Sequence, residues 1–414
     1  MKKKIVSLLM AGMMAAAVLA GCGDAGDKQE TPKEDAASSQ QEDSDDGASQ
    51  GSEDASDSEK TDEQGSEEAD ANGGGEGKSY SFAANIWGSG AYPLDIMVHA
   101  NEVVAELTGM KLDTADNQFT ADKIISDLQG QLATNPDGVI MFSVVDTVLG
   151  NVQQLCDAQN IPYVLDTNFP SDPDVWQSVK DDPLFVGGVA ASPYEMGKEL
   201  GEMALADGNK TAIILGAALG DYSHDQRILG FQEAFEAGGG KVQQVMHCSD
   251  PSESTTKAND LITANQDADC AYASGGDYLS ALAAIKAGDS SMELMIYGTD
   301  VAPDLIDYIK DGVIKAMNGG NHINGAIAQC LLINYLDGHQ ILGEDGKAPV
   351  LDYLKCYLIT PDNAEHFAGL YANESCFITD EQWQSLLYRY NPDVTLETYD
   401  AFLKSYADTV YNMK

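Results

Sequence analysis

The sequence predicts an α/β protein whose folded part is two doubly wound, Rossmann-like lobes, each a parallel sheet with helices on both faces. Three observations predict it. Apolar runs of strand length alternate with runs of helix length. The strand-length runs are apolar at successive positions rather than at every second one, the mark of strands covered on both faces. The rhythm then stops and restarts near the middle of the chain, and 414 residues leave room for two or three units at roughly 100–200 residues each.

In chain order, residues 1–22 read as a leader. Lys2, Lys3 and Lys4 precede an apolar run over 5–20, shorter than the ~20 residues that span a bilayer. Leu19-Ala20-Gly21-Cys22 resembles the lipobox of bacterial lipoproteins. That implies cleavage before Cys22, lipid on its sulfur, and a mature protein held at the outer face of the cell membrane by this anchor alone. Residues 23–78 hold 19 acids and 4 lysines, and the first aromatic of the chain is Tyr80. Such a segment buries too little apolar surface to offset its ordering entropy, so a disordered tether is expected.

The folded part opens with an expected strand over 79–86 and a helix over 94–107 closed by Gly109. Residues 122–132 are amphipathic, Gly138–Phe142 is a buried-strand run, and a helix over 148–159 leads into a strand over 161–166. After the restart, 196–205, 230–237, Ser254–Ala264, 279–287 and 304–310 read as helices. Between them 211–215, 242–246, 268–273 and 294–298 read as strands. Residues 379–388 and 396–411 have helical spacing. Leu396, Tyr399, Phe402, Leu403 and Tyr406 recur on one face and are expected to pack on the second lobe.

Acids outnumber Lys and Arg 67 to 23, and the net charge is -44, of which about -32 falls on 79–414. A nucleic-acid partner would need a basic face that releases counterions, so that class is excluded. Only two arginines occur, Arg227 and Arg389. Anionic ligands, which want an arginine fork or a lysine, are disfavoured. In open parallel sheets ligands bind beyond the carboxyl ends of the strands. Asp166-Thr167-Asn168, residues 143–146 and Asp300 follow such runs. Each is equally readable as a cap or turn residue, and several acids on one rim say more than any one of them.

Four segments resemble the sugar-type, ribose-binding-like members of the type I periplasmic binding proteins, the solute receptors of ABC importers. They are Asn135-Pro136-Asp137-Gly138-Val139-Ile140 and Ile161-Pro162-Tyr163-Val164-Leu165-Asp166, the second like the family's I-P-V-V-x-x-D strand. Arg227-Ile228-Leu229-Gly230-Phe231 is like its R-x-x-G-F helix start, and Tyr297-Gly298-Thr299-Asp300 like its G-x-D strand end. Order and spacing agree over most of 80–360. The resemblance implies three crossovers between the lobes, near 189–192, Asn318 and Cys356. The first lobe would then be 79–190 plus 319–356, and the second 191–318 plus 357–414. It further implies a cleft between the lobes for a small polar ligand, a sugar, which a monomeric receptor hands to an ABC permease. A surface sensor of the same fold, or a nucleoside in place of the sugar, are the alternatives.

Carried over residue by residue, Asp166 and Asp300 match aspartates that bond sugar hydroxyls. Asp225 stands where ribose binders often carry a contacting arginine, and Arg227 matches a second, structural one. Asn318 lies near a family amide. Trp87 and Tyr92 are the aromatics nearest to where the family has paired phenylalanines, whereas Leu94-Asp95 follow Pro93 here.

Nothing points to catalysis or to a cofactor or metal. There is no G-x-S-x-G, no H-E-x-x-H and no phosphate loop, and the six histidines show no ligand spacing. His224 beside Asp225 reads as a loop that opens a helix. Beyond Cys22 no two cysteines have C-x-x-C spacing. Cys356 and Cys376 are the pair that export would favour, and are expected to be unpaired.

Overall fold

The computed structural model describes residues 78–142, 146–372 and 376–413. The leader with Cys22, all but the last residue of the acidic segment, and residues 143–145 among the strand-end candidates lie outside the described residues.

The first sheet takes β1 (Ser81–Ile86), then α1 (Tyr92–Thr108), β2 (Lys111–Asp116), α2 (Ala121–Leu132), β3 (Gly138–Phe142), α3 (Asp146–Gln159), β4 (Tyr163–Asp166), α4 (Pro173–Asp181) and β5 (Phe185–Val189). The second half runs α5 (Pro193–Ala206), β6 (Thr211–Gly216), α6 (Tyr222–Ala237), β7 (Lys241–His247), α7 (Ser254–Ala264), β8 (Cys270–Ala273), α8 (Gly276–Gly288), β9 (Met295–Thr299), α9 (Pro303–Lys310) and β10 (Ile314–Gly319). The chain then returns through α10 (Asn324–Leu336) and β11 (Val350–Leu351). It ends with β12 (Tyr357–Ile359), α11 (Ala364–Tyr371), α12 (Asp380–Ser385) and α13 (Leu396–Asn412).

The strands form two sheets of six, ordered β11-β5-β4-β3-β1-β2 and β12-β10-β9-β8-β6-β7. All pairings are parallel except that of β12, which runs antiparallel to β10. The protein is therefore an α/β protein of two parallel-dominated sheets. The chain passes between the sheets at 190–192, 320–323 and 352–356. Val139, Ile140, Met141, Val164 and Leu165 are each at most 1% exposed, because helices cover both sheet faces.

Two helices start upstream of their apolar patterns. α6 begins eight residues before 230, because Asp221 caps it by accepting from the His224 N–H, so Asp225 and Arg227 are helical. α1 begins at Tyr92, with Pro93 in its first turn, and ends at Gly109 in the left-handed region. The C-terminal segment differs from its expectation of packing on the second lobe alone. Its apolar stripe covers both lobes, with Tyr399 hydrogen-bonded to Asn334 of α10 and Tyr411 to Leu358 of β12. The reason is α10. Eleven of its thirteen residues are buried, and the first sheet can cover only one side of it. One apolar core thus runs from Phe82 and Val164 through Ile213 and Ile296 to Trp383, Leu403 and Tyr406. Cys156, Cys248, Cys270, Cys330, Cys356 and Cys376 are free thiols.

Candidate functional site

Residues at and just beyond the carboxyl ends of strands in both sheets line one cavity of about 220 Å³. The first lobe contributes Trp87 after β1, Phe119 after β2, Phe142 at the end of β3, and Thr167 and Asn168 after β4. Pro93, Leu94 and Met97 of α1 complete that wall. The second lobe contributes Asp221 after β6, Asp250 after β7, Asp277 after β8 and Asp300 after β9, with Ser223, His224 and Arg227 from α6. The walls differ in chemistry: one is aromatic and aliphatic apart from Thr167 and Asn168, and the other holds four carboxyl groups and one guanidinium.

The centre of the polar wall is a fork. Arg227 Nη1 donates to Asp300 Oδ2 at 2.9 Å and Nη2 to Asp300 Oδ1 at 3.1 Å, while Nη1 also reaches the Ser274 carbonyl at 2.9 Å. The arginine is 4% exposed and its Nε has no partner among the described residues. A bidentate pair fixes both planes and leaves each group's free lone pairs and N–H directed at a neighbour. Asp300 has φ 72° and Thr167 φ 66°. These are left-handed conformations that cost about 1–3 kcal/mol in non-glycine residues, the more so when β-branched. Both sit where the chain leaves a strand and turns over the cavity.

His224 Nδ1 lies 2.9 Å from Ser274 Oγ, and its ring meets Tyr278 edge-on at 5.6 Å. Burial holds its pKa below the ordinary 6.5, so at neutral pH it offers hydrogen bonds and no charge. Burial, and then the nearby Asp300 charge, hold the Asp277 carboxyl above its ordinary value. On the opposite wall Trp87 and Phe119 meet edge-on, 6.3 Å apart. Across the cleft the Ser223 hydroxyl donates to Asn168 Oδ1, so the lobes are joined directly at that point.

Of the residues expected at the site, Trp87 and Asp300 line the cavity. Asp166 stands behind it, 3% exposed, accepting from Thr167 Oγ1 at 2.6 Å; Asn324 of α10 in turn donates to that hydroxyl at 3.3 Å. Burial pushes the Asp166 carboxyl up to about 7, with the Thr167 hydroxyl opposing the shift. Asp225 accepts from the Gly220 N–H at 2.9 Å and so fixes the loop ahead of α6. Asn318 is buried beneath α5, donating to the Met196 carbonyl and to Glu199. Tyr92 turns its ring onto Tyr371, 5.9 Å away. Asp221, Asp250 and Asp277 were not singled out in the sequence. The rule that marked Asp300, a polar residue just past an apolar strand, applies equally to Cys248-Ser249-Asp250 and to Gly275-Gly276-Asp277. Among the described residues, no group of three or more His, Cys, Asp or Glu is placed to hold a metal ion, and no helix is long and apolar enough to cross a membrane.

The chain belongs to the periplasmic binding protein family: the family's domain matches residues 94–340, more than half of the chain. In structure it is similar to a galactofuranose binding protein, with a TM-score of 0.62 and 20% identity over 71% of this chain and 99% of that one. It is also similar to the periplasmic binding protein component of the arabinose ABC transporter from Shewanella sp. ANA-3, bound to α- and β-L-arabinofuranose (0.61, 19%, over 71% and 96%). A third is a carbohydrate transporter from Acidothermus cellulolyticus 11B in complex with myo-inositol (0.61, 16%, over 72% and 99%). These likenesses establish the fold as the type I two-lobe architecture. No curated protein matches the chain in sequence.

Proposed function

We propose that this protein is an extracytoplasmic solute receptor, anchored by lipid on Cys22, that captures a small neutral polyol, a sugar, and delivers it to an ABC permease. The observation that carries this is the pairing of unlike walls around one small cavity. A sugar ring has an apolar C–H face and a polar rim. The first suits Trp87, Phe119 and Phe142, and the second suits carboxylates that accept from hydroxyls and a guanidinium that donates to them. Asp300, Arg227, Asp277 and His224 would bind the hydroxyls, while Asp166 and Asp225 would act from behind by fixing Thr167 and the α6 loop. A cavity of about 220 Å³ lies below the roughly 300–1,000 Å³ of drug-sized sites, which fits one ring better than a disaccharide. With one arginine already paired to Asp300 and three further carboxyls on the wall, a phosphorylated or carboxylated ligand would meet like charge. The solved relatives named for galactofuranose, arabinofuranose and myo-inositol bind ligands of this kind.

Thermal unfolding of the chain against furanoses, pyranoses, myo-inositol and nucleosides, with sugar phosphates alongside, tests the reading. A ligand that binds only the folded state at a hundred times its Kd adds about 2.7 kcal/mol of stability. The expected result is a raised Tm with one neutral monosaccharide or cyclitol and none with the phosphates. Stabilisation by nucleosides or sugar phosphates alone would overturn it.

A further inference from the structure

We propose that α13 is a rigid strut across the hinge that holds the two lobes near their closed setting, and that its second-lobe end is the releasable one. The segment lies beyond the family's domain match. The domain match ends at 340, and a solved relative is covered to 99% of its length by only 71% of this chain.

The helix spans seventeen residues, about 25 Å at ~1.5 Å per residue, and is fastened at three levels. Near its N-terminal end Tyr399 accepts from Asn334 Nδ2 of α10 at 2.9 Å. The loop leading into it is pinned to the residue that caps the same helix by an Arg389–Asp337 fork at 2.9 and 2.8 Å, with both side chains nearly buried. Its middle lies on two of the crossovers. Leu403 accepts from the Lys355 N–H at 3.3 Å, and the Tyr406 ring lies 3.0 Å from where a Cβ on Gly320 would be. Its C-terminal end grips the second lobe through Tyr411, whose hydroxyl accepts from the Leu358 N–H at 2.7 Å and donates to the Leu358 carbonyl at 3.2 Å.

A helix does not stretch, so rotating the lobes apart about the crossovers must detach one end of α13. The first-lobe end is held by a nearly buried ion pair and a buried amide network. Breaking either would strand polar groups away from water. The second-lobe end is held by Tyr411, 38% exposed, with its ring against Phe367 of α11, and by His366 Nε2 at 2.9 Å from the Val410 carbonyl, contacts at the protein's edge whose polar partners water can replace. Opening therefore proceeds by release of Tyr411 from β12, and these hydrogen bonds bias the ligand-free protein toward closure.

The test needs no ligand, so its outcome is independent of the sugar reading. Nitroxides attached through a keto amino acid replace Asp122 and Thr256, exposed positions on α2 and α7. Both helices follow strands at the sheet edges farthest from the crossovers, and the native thiols stay untouched. Pulsed electron resonance of the ligand-free chain should give one narrow distance. Tyr411→Phe, which keeps the ring and removes the hydroxyl, should raise a longer-distance population severalfold. The paired change Arg389→Met with Asp337→Leu, which frees the first-lobe end without leaving a lone buried charge, should do the same. A broad distribution in the native chain, or an unchanged one in folded Tyr411→Phe, would overturn the proposal. If the paired variant does not fold, Tyr411→Phe decides alone.

Discussion

Asp166 carries its charge at a cost. Its carboxyl lies behind Thr167, against the first turn of α10, where a Cβ on Gly325 would come within 2.4 Å of Oδ2. Burial pushes its pKa up to about 7, against roughly 3.9 in the unfolded chain. A group raised on folding contributes stability that is complete below the unfolded pKa and disappears as pH rises through the folded one. The window is therefore about pH 4 to 7, and the loss above it is on the order of 4 kcal/mol. Asp166→Asn stays neutral throughout. Urea melts at pH 5 and pH 8 should show the native chain losing stability at the higher pH, with a clearly smaller loss in the variant; parallel losses would refute this account. At this scale the sequence showed where to look more readily than what faces the cavity. Asp166 and Asp300 both follow apolar strands, and only the left-handed turn at Thr167 itself puts the threonine, rather than the aspartate before it, over the cleft. His224 read as an ordinary helix opening because its partner, Ser274, is fifty residues away.

The polar wall is held in place by two helices packed backbone against backbone. A Cβ on Gly197 of α5 would sit 1.9 Å from the Arg227 carbonyl oxygen, and one on Gly230 of α6 would sit 2.1 Å from that of Tyr194. Neither neighbour is a side-chain tip that could swing aside. Gly197→Ala must therefore push α6 outward, and with it both Arg227 and His224. Overpacking of this kind costs about 1–3 kcal/mol. The expected result is a lower midpoint in thermal melts and a larger fractional loss of ligand binding, since the Arg227–Asp300 fork depends on the displaced helix. A variant with native midpoint and native affinity would show that the helix contact does not set the site. Long elements were legible where one face was wet, as with α2 and α7. The sequence did not reveal β5, whose Gly187 and Gly188 interrupt the apolar run to admit Pro349 and Phe169. It also missed α10, which is apolar on every side because the first lobe and the C-terminal segment both cover it. The edge strand β2, Lys111–Asp116, is half exposed along its length and has no apolar run to see.

At the scale of the whole molecule, the chemistry of the candidate site is divided between the lobes. The apolar wall belongs to one sheet and the charged wall to the other. A ligand that touches both gains its full contact only when the cleft is shut, and that differential affinity is what displaces a hinge equilibrium. Directly across the cleft, the Ser223 hydroxyl donates to Asn168 Oδ1. In an open cleft water satisfies both groups, so the bond favours closure without touching the ligand. Ser223→Ala deletes it and leaves the fork, the acids and the aromatics in place. A hydrogen bond of this type contributes about 1 kcal/mol net, or roughly fivefold in affinity. With the ligand found by thermal unfolding, calorimetry should show Kd weakened by about that factor. Stopped-flow traces should assign the change to faster dissociation, because the closed complex alone is affected. Unchanged affinity, or a loss confined to the association rate, would mean that the bond does not distinguish closed from open and that closure rests on other contacts.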